Sequence, residues 1–396
     1  MAEHLPLKIP SELADTIIDC LHDDSRALAS CSVVCRAWLP RSRFHLFEHI
    51  LLEPSRLQLF DLLDSPLSTI APYVRCLHLE EGRGRYSYEP EWLNKALPRL
   101  AVFTAVESLE VDLARFDLLE TETTRGLVSN FRMLRNLHFW HVKFRTFSQL
   151  VDVLGECPHL EHISFDCLFY QDKWDTPHEG HPEIKNSLPT SCAQRIPLHL
   201  RTFDLGSCEK NAILYWLLSG NSCLVINTLR LRTVCLEETR AIGAFVRTLG
   251  PSLEHLEINF AVSFEGDVEK AFCRNVDLAG LIQLRSLHLS GLVMYSQYRS
   301  STYVGWVSIL LSQITSMHIE EVVFDVWLSV PEDLDPLDWD VMGKVFAQPS
   351  FSRLKRIHFW VWGDVNREQA RVSIRERLPV CDARGLLEAK WPQGVL

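Results

Sequence analysis

From residue 74 onward one short pattern recurs along the chain: an apolar residue, two variable ones, an apolar residue, one variable, an apolar residue. It starts ten times, at Val74, Val106, Leu134, Leu160, Leu200, Ile226, Leu253, Leu284, Ile319 and Leu354. Copies such as Leu253-Glu-His-Leu256-Glu-Ile258 and Leu284-Arg-Ser-Leu287-His-Leu289 alternate with period two, which predicts a short strand with one buried face. The starts lie roughly 26 to 35 residues apart, with one gap of about 40 between residues 160 and 200. Most strands are followed by an amphipathic stretch of helical period: Phe147 to Leu154, Ile213 to Leu218, Thr239 to Leu249, Tyr303 to Ile314 and Trp339 to Phe346. Strand and helix in alternation predict an α/β chain with a parallel sheet and outer helices. No single unit can bury its own apolar face, and only the stack makes a core.

The pattern resembles leucine-rich repeats, which run near 20 to 29 residues, so these are long and irregular. The Asn or Cys position that follows the strand in that family is met only by Cys167, Cys208 and Cys235. The resemblance implies a solenoid whose sheet surface is the recognition face. Patterned residues point into the core and those between them point out. On that surface the candidate target-binding residues are His138, Trp140, Asp325, Trp327, Arg356, His358, Trp360 and Trp362. Trp and Arg are enriched at binding hot spots. The long gap holds a polar stretch, residues 172–182, expected to form an exposed inserted loop. Residues 363–396 are expected to cap the open end of the sheet, and Trp327, Trp360 and Trp362 are read either as the centre of a peptide or protein docking site or as rings over which that tail folds.

Ahead of the repeats, residues 5–47 read as three short helices. Pro10 and Ser11 start the first, with Ser11 a candidate N-cap, and Leu13, Ile17 and Leu21 recur on it at helical spacing beside Ile18. Asp23-Asp24-Ser25 ends it and caps a second carrying Ala27, Leu28 and Cys31. Ser32 is placed as the cap of a third running through Val33, Val34, Trp38 and Phe44. About 40 residues bury little core alone, and units this small need a metal, disulfides or a partner. Ile9-Pro10-Ser11-Glu12-Leu13, Ile17-Ile18, and Cys31-Ser32-Val33-Val34-Cys35-Arg36-Ala37-Trp38 resemble the F-box motif, and the layout is similar to fungal F-box proteins with irregular leucine-rich repeats. The motif covers about a tenth of the chain. The resemblance implies docking to the Skp adaptor of a cullin–RING (SCF-type) ubiquitin ligase, with Ile9, Pro10, Leu13, Ile17, Val34 and Trp38 contributing. The expected organisation is an F-box-like helical domain over residues 1–50, a solenoid over 51–362 and a capping segment over 363–396.

Composition narrows the function classes. With 40 basic residues against 51 acidic ones, net −11, the chain lacks the clustered cations that neutralise phosphate, so neither nucleic acid nor an anionic membrane is an expected partner. No secretory signal or membrane span is read, and the expected compartment is cytoplasm or nucleus. The twelve cysteines are expected to be small buried hydrophobes in a reducing environment. His45 and His49, four apart, have zinc-ligand spacing, but two histidines do not make a site. In the Cys157, His159, His162, Cys167 group strand parity separates His162 from Cys167. There is no phosphate loop, nucleophile elbow or zinc-protease motif, so no cofactor, no metal and no catalysis are expected. The reading is an adaptor recruiting an unknown target protein to the ligase. Its alternative is a leucine-rich-repeat interaction scaffold acting outside ubiquitin ligation.

Overall fold

The computed structural model describes residues 10–56, 58–63, 65, 68–81, 90–166, 169–170, 199–220, 224–260, 267–293 and 304–392. The chain divides into two compact units, Met1–Leu160 with Leu168–Thr176 and Glu161–Cys167 with Pro177–Leu396.

The first unit opens with helices α1 (Ser11–Asp19), α2 (Ser25–Ser32) and α3 (Leu39–Phe47). Asp24 caps α2 as expected, its carboxylate accepting from the backbone N–H of Arg26 and Ala27. Two readings are corrected. Ser11 is the first helical residue and not a cap, since the cap position is Pro10. Val33 and Val34 lie in a turn, and the third helix starts at Leu39, where Pro40 fits a first-turn position whose N–H would be unpaired anyway. The module's own core is small: Ala14, Ile18 and Leu28 are buried. Asp19 pins α1 to α3, ion-paired to the Arg41 guanidinium and 2.7 Å from His45 Nε2. The Arg41 hydrogen bond, then that of His45, holds the Asp19 carboxyl at about 2.

The repeats follow: β1 (His49–Leu52), α4 (Gln58–Leu63), β2 (Cys76–Glu80), α5 (Pro90–Ala96), β3 (Ser108–Asp112), α6 (Thr121–Ser129), β4 (Asn136–Trp140), β5 (Lys143–Phe144) and α7 (Phe147–Gly155). β1 to β4 pair in parallel in chain order, with Leu77, Leu109 and Leu137 in one row and Leu79, Val111 and Phe139 in the next. β5 pairs with β7 (Phe169–Tyr170) as a small parallel sheet of its own. Behind β2, Glu81 is buried, and its Oε2 accepts from the Arg115 N–H. Burial pushes its carboxyl up to about 7.

The second unit carries β6 (His162–Asp166), β8 (Thr202–Leu205), α8 (Lys210–Ser219), β9 (Thr228–Val234), α9 (Thr239–Leu249), β10 (His255–Phe260), α10 (Asp267–Asn275), β11 (Ser286–Val293), α11 (Gly305–Ser312), β12 (Glu321–Trp327), α12 (Trp339–Phe346), β13 (Arg356–Trp362), α13 (Arg367–Arg377), α14 (Pro379–Ala383) and β14 (Leu387–Lys390). All pairings are parallel and follow chain order. Ile163, Phe203, Leu229, Leu256, Leu287, Val322 and Ile357 form one continuous row, each at most 2% exposed. Burying one such side chain contributes about 1.5–3 kcal/mol, so the row is the spine of this unit. All ten predicted strands are present, and the chain has the mixed α/β, leucine-rich-repeat-like solenoid fold that the pattern predicts.

One device repeats just before the strands. The carbonyl of Glu254 accepts the N–H of both Arg285 and Ser286, that of Arg285 accepts Glu320 and Glu321, and that of Glu320 accepts Lys355 and Arg356. The side chains at these positions alternate in charge. Arg285 lies 2.9 Å from Glu254 and 3.7 Å from Glu320, and Lys355 lies 2.6 Å from Glu320. Such exposed pairs are individually weak, but the doubled backbone contact fixes the register of each strand on the one before it. Left-handed backbone recurs along the sheet: Leu113, His141 and Gly363 directly follow β3, β4 and β13 with φ of 58°, 52° and 92°, while Thr233 and Gly291 lie within β9 and β11 with 54° and 74°. At Gly363 an added Cβ would lie 2.3 Å from the Leu328 carbonyl oxygen, so only glycine fits.

The tail carries one short strand. β14 pairs with β13 as an edge strand, Ile357 to Leu387 through Trp360 to Lys390. It lies beside the tryptophan-bearing strand and reaches the Trp360 ring through Lys390.

Candidate protein-docking surfaces

Two surfaces stand out. The first is on the N-terminal module. Leu13 and Ile17 are one helical turn apart on α1 and point away from Ala14 and Ile18; they are 57% and 49% exposed. In the turn after α2, Val33 and Val34 are 83% and 61% exposed. Four apolar side chains in so small a unit are thus unspent on its own core. Pro10 is exposed and Trp38 half-buried at the start of α3, while Ile9 lies outside the described residues. Cys20 and Cys35 are also exposed, which corrects the expectation that the cysteines are buried: each sits at the end of a short helix or in the turn, where little packs over it. Cys157 does follow that expectation, and burial pushes its thiol up to about 12.

The second is the outward face of the sheet. Most of its charges are satisfied by one another. Arg232 makes two 3.0 Å hydrogen bonds to the Asp204 carboxylate and lies 3.4 Å from Asp166. Arg230 lies 3.4 Å from Glu257, and His288 sits 3.8 Å from Glu257 and 3.1 Å from Asp325. Burial alone would lower the His288 pKa, but the Asp325 and Glu257 carboxylates outweigh it and raise it.

The predicted target-binding residues divide under this geometry. Trp327 and Trp362 stack with rings 5.5 Å apart and 11° from parallel, and Trp327 is 38% exposed. In the first unit Trp140 is exposed, stacks on His141 at 5.7 Å and lies 6.1 Å from His138, which is half-buried. Asp325 is turned to His288, and Arg356 is exposed but lies 3.3 Å from Glu321. His358 is corrected: it is buried, held between Glu321 at 3.1 Å and Glu388 at 3.0 Å. Its parity is outward as read, but β14 brings Glu388 alongside it. Trp360 is half-buried, with the Lys390 ammonium 5.6 Å from its ring centre. Strand parity gave the side of each residue; the pairing of the distant tail, which decides coverage, has no local signal.

Among the described residues no three His, Cys, Asp or Glu side chains converge as a metal-holding group, and no helix is long and apolar enough to cross a membrane. His45 is turned to Asp19, whereas His49 is exposed on β1. The polar stretch 172–182 and Cys167 lie outside the described residues.

No family model and no curated protein matches the chain. Solved structures do. The leucine-rich repeat-containing protein LegL7 from Legionella pneumophila is 13% identical, with a TM-score of 0.43, over 83% of this chain and 98% of that one. A Bacteroides fragilis protein is 14% identical, with a TM-score of 0.38, over 78% and 75%. The complex of Rad7 and Elc1 in yeast matches at 12% identity and a TM-score of 0.37, over 91% and 90%. These likenesses carry no argument about function; the fold assignment stands on the strand ladder itself.

Proposed function

We propose that the chain is a substrate-recruiting adaptor of an SCF-type ubiquitin ligase, its N-terminal module docking the Skp adaptor and its solenoid binding a target protein. The observation that carries this reading is the unspent apolar surface of the module: Leu13, Ile17, Val33 and Val34 are all exposed while Ala14, Ile18 and Leu28 close its interior. The exposed residues fall within the F-box-like motif. In this role the chain has no active site of its own. It works by tethering, which raises the effective concentration of target lysines near a ubiquitin-loaded enzyme.

The test is co-purification with the Skp adaptor. Leu13→Asp with Ile17→Asp removes two apolar anchors worth on the order of 2–4 kcal/mol together, so capture should fall by at least about 30-fold while the far-ultraviolet spectrum stays unchanged. Failure of the unaltered protein to capture the adaptor, or equal capture by the variant, would leave the scaffold reading in its place.

A further inference from the structure

We infer that the Trp327–Trp362 pair is the platform for a cationic side chain, Lys or Arg, of the protein target. This rests on the reading that the solenoid carries a target, and it names that target's chemistry.

Three observations support it. First, this part of the chain already places cations on tryptophan rings: Arg367 and Arg371 on Trp391, Arg377 on Trp339 and Lys390 on Trp360, at 5.2 to 5.9 Å. Trp216 and Trp306 are buried. Among the described residues of the second unit, Trp327 and Trp362 are the tryptophans that are neither buried nor covered by a cation of the chain; each has the other ring on one face.

Second, the stretch of chain that carries Trp327 is acidic. From Glu321 to Gly343 the chain has seven carboxylates and no Lys or Arg. Several are engaged. Glu321 pairs with Arg356 and Asp325 with His288, Asp335 pairs with Arg377, and Asp338 caps α12. Glu332, five residues beyond Trp327, and Asp364, two beyond Trp362, are exposed and lie on the loops leaving β12 and β13. A ring face attracts a cation through its quadrupole, and exposed carboxylates on the segments that follow the two ring-bearing strands favour a basic partner over an acidic one.

Third, the loop is built, not slack. The buried Asp333 carboxylate accepts from the backbone N–H of Ser329 at 2.7 Å and Val330 at 3.0 Å. The turn after Trp362 is fixed by Gly363, and the Leu328 N–H donates to the Trp362 carbonyl at 3.0 Å. The platform is therefore organised before anything binds, which lowers the ordering cost.

The test uses the full chain without the Skp adaptor, so its outcome is independent of the docking experiment above. Labelled octapeptide pools, random except for a central Arg, Lys, Glu or Leu, are titrated by fluorescence anisotropy. The Arg and Lys pools should bind about tenfold tighter than the Leu pool, and the Glu pool weakest. Trp327→Ala with Trp362→Ala should erase the preference. Glu332→Lys with Asp364→Lys, at two exposed positions with no fold at stake, should weaken the basic pools by at least about threefold. Equal binding of Arg and Leu pools overturns the inference. So does a basic preference that survives loss of both tryptophans, which would be simple attraction to an acidic protein. If the tryptophan variant fails to fold, unchanged basic-pool binding by the charge-reversed variant overturns it equally.

Discussion

The N-terminal helices and the ladder of the second unit use the same kinds of apolar residue to opposite ends. In the ladder Leu229, Leu256 and Leu287 are sealed because a flanking strand on either side dictates parity, and the helices close the inner face. In the module two helical stripes compete, Leu13–Ile17 and Ala14–Ile18, and the smaller one faces inward. A fixed lattice turns sequence period into burial, whereas three short helices leave part of the apolar surface without an internal use.

The acids divide in the same way. Asp19 of the module is partly exposed and is held low, at about 2, by Arg41 and His45; Glu81 behind the first sheet is raised to about 7 by burial. One is kept charged by neighbours, the other discouraged from charging by the loss of water.

The largest expected effect tests the packing contrast directly. Leu229→Ala should cost about 2–5 kcal/mol, whereas Leu13→Ala should change stability by less than about 0.5 kcal/mol; denaturant titration of both variants reads the difference. Equal losses would mean that Leu13 is packed after all, and the contrast fails.

A pH series sharpens the second contrast. A carboxyl whose pKa is raised in the fold contributes stability that is full below its unfolded value, about 4.3, and is lost as pH rises through about 7. Thermal unfolding should therefore show a decline across that window. Glu81→Gln should flatten it, by on the order of 2 kcal/mol at pH 8. A lowered group behaves in reverse: the Asp19 contribution is present above its unfolded value and is lost as pH falls through about 2. The smallest effect is Asp19→Asn, expected to cost at most about 1 kcal/mol near neutral pH, as for exposed ion pairs. It should also weaken Skp-adaptor capture slightly, because α1 loses its hold on α3. A change larger in size than that of Glu81→Gln at pH 8 would reverse the ranking.

The ten interior strands were legible because each carries three apolar residues in one invariant spacing. The outer strands β1 and β14 were not. His49-Ile-Leu-Leu and Leu387-Glu-Ala-Lys are four residues each and lack that spacing, and they are strands because β2 and β13 supply partners. Val33 and Val34 were read as the start of a helix because apolar neighbours carry no direction; Pro40 marks the true start. The site was half legible. Parity put His358 and Trp360 on the outward face, but Glu388 and Lys390, some 30 residues later in the chain, decide that both are covered.

β14 has one more consequence. A sheet whose strands all run one way can in principle be continued by another copy, strand after strand, without ever closing into a ring. The last strand here offers only four residues, with Glu388 and Lys390 on it and Pro392, which has no N–H to give, two positions further on. Such a short, charged terminus is a poor template, and its removal would bare the seven residues of β13. Chains truncated after residue 383 should then self-associate end to end, as fibrous aggregates visible by light scattering, where the full chain stays dispersed.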